Sequence, residues 1–197
     1  MSLLAKTALD EGLAGLEFAQ GIPGTVGGGA YMNAGAYGGE MAQVIASLRV
    51  LSGNEILEIP AAEMAFAYRH TRAMEENWIV LGAEFHLEKG DPEAIEAKMA
   101  DFSQRRKDKQ PLEYPSAGSF FKRPEGYFAG ALIEQSNLKG VSVGGAQVSE
   151  KHAGFLINKG GATAGDFLEL KELVQKNVME KFGVMLEPEV RILGSDL

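Results

Sequence analysis

GIPGTVGGGAYMNAGAYGGE, residues 21–40, carries eight glycines in one run. Glycine takes positive φ without steric cost, so such a run implies a turn-rich path, a close approach of backbone to a ligand, or both. The spacing excludes two familiar phosphate loops. Gly27, Gly28 and Gly29 are followed by Ala30, Tyr31 and Met32, no third glycine falls where a dinucleotide-binding helix would open, and there is no Walker lysine. What remains is a loop in which Pro23 fixes φ beside Gly24, Thr25 offers a hydroxyl and Asn33 an amide. The same run also suits a set of hairpin turns in a β-rich region.

Working outward, SLRVLS and NEILEIP flank Gly53-Asn54, a hairpin signal, and NWIVLGAEFHLE reads as a long strand. The first part, to about Glu88, is therefore strands and glycine turns. A helix follows: Asp91 can cap it, Pro92 suits its first position, and Ile95, Met99 and Phe102 recur at helical spacing. Its basic end, with Arg105, Arg106, Lys107 and Lys109, leads into KQPLEYPSAGS, where Pro111 and Pro115 suggest a linker. The second part predicts a helix through Ala129, Leu132 and Ile133 ending at Gly140, then strands around VSVGGAQVS and HAGFLINKG. It closes with a helix opened by the Thr163/Asp166 capping pair and striped by Phe167, Leu170, Val174 and Val178. VMLEPEVRIL reads as a last strand with Pro188 in its middle, at an edge, a bulge or beside a site.

Composition narrows the chemistry. With 27 acidic and 19 basic side chains the 197-residue chain has a net charge of −8, which argues against nucleic acid or an anionic membrane as partner. It has no cysteine, so disulfides and thiolate chemistry are excluded. His70, His86 and His152 stand far apart in sequence, and no zinc motif is present. No apolar stretch of membrane-spanning length and no signal peptide is visible, making the cytoplasm the default location.

Four segments taken together carry a resemblance. The glycine run, AYRH at residues 67–70, SAGSFFKRP at 116–124 and LEPEVRILG at 186–194 occur in this order and spacing. The combination resembles the UDP-N-acetylenolpyruvoylglucosamine reductase family, flavoenzymes of peptidoglycan synthesis. The resemblance implies an α+β chain: the second half of an FAD-binding domain of the vanillyl-alcohol-oxidase type over residues 1–108, an α/β substrate-binding domain over 109–182, and a C-terminal segment, 183–197, returning to the FAD domain. Family members begin with an upstream flavin-binding subdomain that this sequence lacks, so a truncated chain is expected, with dimerisation through exposed edges or partial disorder near its start and around the last strand. The stretch from His70 to Trp78 is short, as in the family's shorter variety, and lacks the loop with a substrate-covering tyrosine.

The implied reaction reduces the enolpyruvyl ether of UDP-N-acetylglucosamine with FAD and NADPH. It needs groups that hold a carboxylate, stabilise developing charge and deliver one proton. The resemblance gives these roles to Ser119 as proton donor and to Arg69 and Glu189 at the substrate carboxylate. A guanidinium stays charged and can grip a carboxylate through two parallel bonds. Glu189 would have to be protonated, or share a proton, beside a like charge. Flavin contacts are implied for Gly21, Ile22, Pro23, Gly24, Thr25, Val26, Gly27 and Gly28, and again for Asn33, Gly35, Ala36 and Tyr37. Substrate contacts are implied for Tyr68, Arg69, Lys109, Lys122, Arg123, Tyr127 and His152. Each has a plainer reading: Ser119 as a turn serine, Arg69 as a surface cation, Glu189 in an ion pair with Arg191, Tyr127 and His152 as packed side chains. Another flavin oxidoreductase of the same fold, or a nucleotide-sugar binding module without FAD, are the alternatives.

Overall fold

The computed structural model describes residues 1–194; the last three positions of the 183–197 segment lie outside the described residues. The chain divides into two compact units, Met1–Arg106 and Lys107–Leu197.

The first unit opens with helix α1 (Ser2–Asp10) and a short strand β1 (Leu13–Ala14). Partial disorder expected at this end is not seen: Met1 is buried, its amino group donates to the Gly24 carbonyl at 2.8 Å, and a Cβ on Gly29 would lie 2.9 Å from its sulfur. The glycine run is not only turns. Thr25 accepts a hydrogen bond from the Gly28 amide at 3.0 Å and opens a short helix, α2 (Val26–Tyr31). A capping hydroxyl that satisfies an orphan amide outweighs the weak helix propensity of three glycines. The hairpin reading holds for the second half, where β2 (Gly35–Ala36) pairs with β3 (Gly39–Glu40). The connecting Tyr37 and Gly38 both have positive φ, +52° and +84°, the geometry that matches strand twist in a two-residue loop.

Strands β4 (Ile45–Ser52) and β5 (Glu55–Pro60) form the hairpin expected around Gly53-Asn54. After the short helix α3 (Arg72–Glu75) comes β6 (Ile79–Phe85), giving a three-stranded antiparallel sheet of order β5-β4-β6. Then β7 (Glu88–Lys89) pairs with β1. Central β4 buries Leu48 and Val50, which join Leu16, Met41 and Met64 in the first core. Helix α4 (Pro92–Lys109) adds Ile95, Met99 and Phe102 to that core, as their spacing requires.

The second unit is a four-stranded sheet packed on two helices. Strand β8 (Ser116–Ser119) precedes α5 (Ala129–Gln135), which stops at Ser136, earlier than expected, before Asn137 at φ +59°. Strands β9 (Ser142–Val143), β10 (Ala146–Val148) and β11 (Phe155–Asn158) complete an antiparallel order β8-β11-β10-β9. Helix α6 (Ala164–Phe182) has the expected capping box and ends at Gly183 in the left-handed region. The Asp166 carboxylate accepts from the Thr163 and Gly145 amides, tying the helix start to the β9–β10 turn; these bonds hold its carboxyl below the usual range. Leu170, Val174 and Val178 of α6 meet Leu132, Ile133, Val148 and Leu156 in the second core.

The tail is not a regular strand. Residues 184–193 make one isolated bridge, Phe121 to Pro188, flanked by Lys122 N–H to Glu187 O and Glu189 N–H to Phe120 O, both at 2.8 Å. Both bonds are made by the neighbours of Pro188, so its missing N–H costs this pairing nothing, and the Phe120 N–H is spent on the Gly154 carbonyl instead of extending the bridge. Leu186 is fully buried in the second core, and the described part of 183–197 groups with the second unit. Among the described residues no helix is long and apolar enough to cross a membrane.

Candidate functional site

In the first unit, Tyr68 and Arg69 form the tip of a tight turn. Ala67 and His70 exchange both backbone hydrogen bonds at 3.1 Å, and Arg69 has φ +54°. A positive φ confined to the second tip residue is the pattern of a type II turn, normally filled by glycine or asparagine. The turn is fastened to the glycine run on both flanks. Before it, the Ala67 carbonyl accepts from the Asn33 amide nitrogen at 3.0 Å; after it, the Thr71 hydroxyl donates to the Tyr31 carbonyl at 2.6 Å. Asn33 and Thr71 are both buried, and the other end of the Asn33 side chain accepts from the Ala42 amide at 2.9 Å. The Arg69 guanidinium lies 4.9 Å from the Tyr68 ring centroid, and Tyr68 is half exposed. Next to it His70 pairs with Glu75 at 3.0 Å.

The glycine run lines two cavities rather than one. Thr25, Gly27 and Gly28 face Trp78, Ile79 and Val80 across a groove of about 350 Å³. Side chains would crowd that groove: a Cβ on Gly27 would come 3.1 Å from the Val80 carbonyl, and one on Gly28 3.3 Å from the Thr25 hydroxyl. Tyr37 instead borders a separate cavity of about 450 Å³ with Phe18, His86, Lys98 and Phe102. Its ring stacks on Phe102 at 4.6 Å, with the Arg106 guanidinium 5.0 Å away. Gly35 serves the hairpin, since a Cβ there would meet the Gly39 carbonyl at 2.7 Å, and Ala36 is its strand neighbour. Gly21 makes room for Arg106, which donates to the Gln20 carbonyl at 3.2 Å. Burial pushes the Arg106 guanidinium below its ordinary pKa. Gly24 has φ +110°, and Ile22 and Val26 pack on the first core. Of the expected flavin contacts, then, Thr25, Gly27 and Gly28 share a groove, while Asn33, Gly35 and Tyr37 are engaged by the protein itself.

In the second unit Ser119 is exposed at the end of β8, opposite Phe155, just after Gly118 at φ +83°. The hydrogen bonds around the Phe121–Pro188 bridge bring the SAGSFFKRP and LEPEVRILG segments side by side. Lys122 pairs with Glu187 at 3.3 Å, and the Arg123 guanidinium sits 4.5 Å over the Phe128 ring. Tyr127 is half exposed, and Lys109 stands exposed at the end of α4. His152 is largely a packed residue: its Nδ1 accepts from the Gly154 amide at 3.1 Å, its ring meets Phe155 edge-on, and burial pushes its pKa down.

The comparisons with known proteins bear on the same segments. The C-terminal domain model of UDP-N-acetylenolpyruvoylglucosamine reductase matches residues 110–193. A crystal structure of UDP-N-acetylenolpyruvylglucosamine reductase (MurB) from Thermus caldophilus superposes with a TM-score of 0.84 at 38% identity, over 95% of this chain and 68% of that one. The chain belongs to the UDP-N-acetylenolpyruvoylglucosamine reductase family. The reductase of Clostridium novyi (strain NT) is 56% identical over 197 residues, and that of Listeria monocytogenes serotype 4a (strain HCC23) 54% identical over 193. These matches cover 100% and 98% of this chain but 64% and 65% of the two relatives, so the chain spans about two thirds of their length. Its mixed α/β architecture is that of the MurB structure.

Sequence reasoning overlooked Thr71. It directly precedes α3, yet its side chain caps nothing in that helix and reaches back to Tyr31 instead. Only its place beside AYRH could have marked it.

Proposed function

We infer that this chain carries the carboxylate-gripping and proton-delivering residues of a UDP-N-acetylenolpyruvoylglucosamine reductase, acting on the enolpyruvyl ether of UDP-N-acetylglucosamine in the cytoplasm. The observation that carries the reading is the turn at Tyr68-Arg69. A residue with a long cationic side chain occupies a backbone position suited to glycine, and strain of this kind collects where a side chain's direction matters more than its comfort. FAD, when bound, would accept a hydride from NADPH and supply one to the β-carbon of the enol ether. Thr25, Gly27 and Gly28 fit such a group: a capping hydroxyl and bare backbone line a groove that admits no further side chain.

The protein's own work is to hold and to protonate. Arg69 grips the substrate carboxylate and stabilises the charge that spreads onto it as the β-carbon gains hydride. Glu189 holds the same carboxylate through a shared proton. Ser119 gives its hydroxyl proton to the α-carbon, which completes the two-electron reduction of the double bond; a weak acid suffices because an enolate carbon is strongly basic. Support for pairing Ser119 with Glu189 comes from the backbone bonds that lay residues 120–122 against 187–189. Lys109, Lys122, Arg123 and Tyr127 are left to meet the diphosphate and uridine.

A second reading, a nucleotide-sugar binding module that does not retain FAD, draws on the match of residues 110–193 to the family's C-terminal domain. Self-association through the β5-β4-β6 sheet belongs to either reading, since Ile56, Ile79 and Leu81 are exposed on its edge strands. A flavin absorbance spectrum of the purified chain separates the two. Calorimetric titration with the enolpyruvyl ether and with UDP-N-acetylglucosamine tests what they share. The ether is expected to bind more tightly by tenfold or more, on the order of a charge-assisted hydrogen bond, and Arg69→Ala to erase the difference. Equal affinities in the wild-type chain would overturn the assignment.

A further inference from the structure

We propose that Asn33 and Thr71 are positioning residues that hold Arg69 in its left-handed conformation and so aim its guanidinium at the substrate carboxylate; this rests on the reading of Arg69 given above. Left to itself, an L-residue with a side chain avoids φ near +54°, and the turn would relax toward conformations that carry Arg69 elsewhere. Two hydrogen bonds prevent this. They tie the two flanks of the turn, Ala67 and Thr71, to the same short stretch of the glycine run, Asn33 donating to the one and the Tyr31 carbonyl accepting from the other.

Neither bond is an ordinary surface contact. Asn33 is 1% exposed and Thr71 0%, so releasing either would leave a buried polar group unpaired, and the turn has no cheap way to swing out. Asn33 itself sits at φ +46°, where asparagine is among the few residues tolerated, and spends one end of its amide on Ala42 and the other on Ala67. Beyond the clamp, the Arg72 amide donates to the carbonyl of fully buried Met64 at 2.8 Å, which fixes the chain as it leaves the turn. The glycine run thus has a second duty beside lining a groove: its middle, Tyr31 to Asn33, is the frame for the arginine turn.

The test is a double-mutant cycle read in two ways. In stability, Arg69→Gly is expected to raise the thermal midpoint of the wild-type chain, because glycine relieves the turn, and to raise it much less in a Thr71→Val background, where the turn has already relaxed. In binding, Thr71→Val is expected to shrink the preference for the enolpyruvyl ether over UDP-N-acetylglucosamine by about threefold to tenfold, with affinity for UDP-N-acetylglucosamine unchanged. Thr71→Ser, which restores the hydroxyl, should recover the preference. A merely structural threonine would lower the midpoint and leave the preference intact, and that result overturns the proposal. So does an equal gain from Arg69→Gly in both backgrounds. Loss of the preference in the wild-type chain strikes the reading of Arg69 itself, while the stability cycle still reports on the clamp. Should Thr71→Val fail to fold, Asn33→Ala carries the same two expectations.

Discussion

Arg69 and Gly118 both adopt positive φ, +54° and +83°, each within one of the family's segments, yet the two units meet the demand differently. In the second unit the unusual backbone falls on a glycine where the β8–β11 register shifts, and the proposed proton donor, Ser119, follows it opposite Phe155. In the first unit it falls on the proposed carboxylate-binding residue itself, and two buried side chains, Asn33 from the glycine run and Thr71 bonded back to it, hold the turn there. A short hydroxyl at the end of β8 is placed by strand pairing, Ser119 standing opposite Phe155 just past a register shift. A long guanidinium on a two-residue turn has no ladder to aim it and needs outside anchors.

The difference can be broken most forcefully at Ser119. Ser119→Ala should lower the rate at which substrate reoxidises reduced flavin by about 10²–10⁴-fold, the usual worth of a positioned proton donor, while leaving affinity for the enolpyruvyl ether nearly unchanged. Rapid-mixing absorbance and calorimetry read the two quantities. A parallel loss of affinity would mean that the hydroxyl binds rather than protonates.

Next in size is Gly118→Ala. No atom stands within 4 Å of where its Cβ would go, so any cost is conformational: about 1–2 kcal/mol of destabilisation, measured by urea unfolding. The opposite sign is expected at the other turn. Arg69→Gly should stabilise by roughly 0.5–1 kcal/mol, the relief of left-handed strain less the entropy glycine loses on folding. Opposite signs for the two substitutions are the sharpest form of the contrast; the same sign for both would erase it.

How much of this was legible in the sequence follows from how local each signal is. The helix stripe of Ile95, Met99 and Phe102 and the Thr163/Asp166 cap lie within a few turns of chain and were readable directly. The Gly53-Asn54 hairpin was too. The glycine run was harder, because Thr25 acts through one hydroxyl that decides between a turn and a helix start. In the tail, Pro188 was visible but its setting was not: it sits in one bridge against Phe121, between bonds made by Glu187 and Glu189, and the Phe120 N–H that could extend the pairing goes to Gly154. At the site, the residue types were legible from the four segments, but the clamp was not. Thr71 stands just outside the AYRH segment, and its bond to Tyr31, 40 residues back, exists only in the folded chain.

The smallest expected effect concerns His152. His152 is partly buried with Nδ1 engaged, and burial lowers its pKa, whereas His70 stands exposed in a pair with Glu75. Below about pH 6.5 the unfolded chain takes up a proton that native His152 resists, so the unfolded state binds more protons and stability falls with pH. The loss starts as pH drops through that value and levels off below the lowered native pKa. His152→Gln should flatten this acid limb in thermal unfolding followed from pH 7 to 5, and an unaltered limb would show that other groups govern it.

The most direct test of the account is a crystal structure of the chain with the enolpyruvyl ether bound. The account predicts the Arg69 guanidinium at about 2.7–2.9 Å from the ligand carboxylate, with the Ala67–His70 turn and its bonds to Asn33 and Thr71 kept as they are without ligand. A carboxylate held by other groups, with Arg69 turned to solvent or its turn rebuilt to admit the ligand, would contradict it.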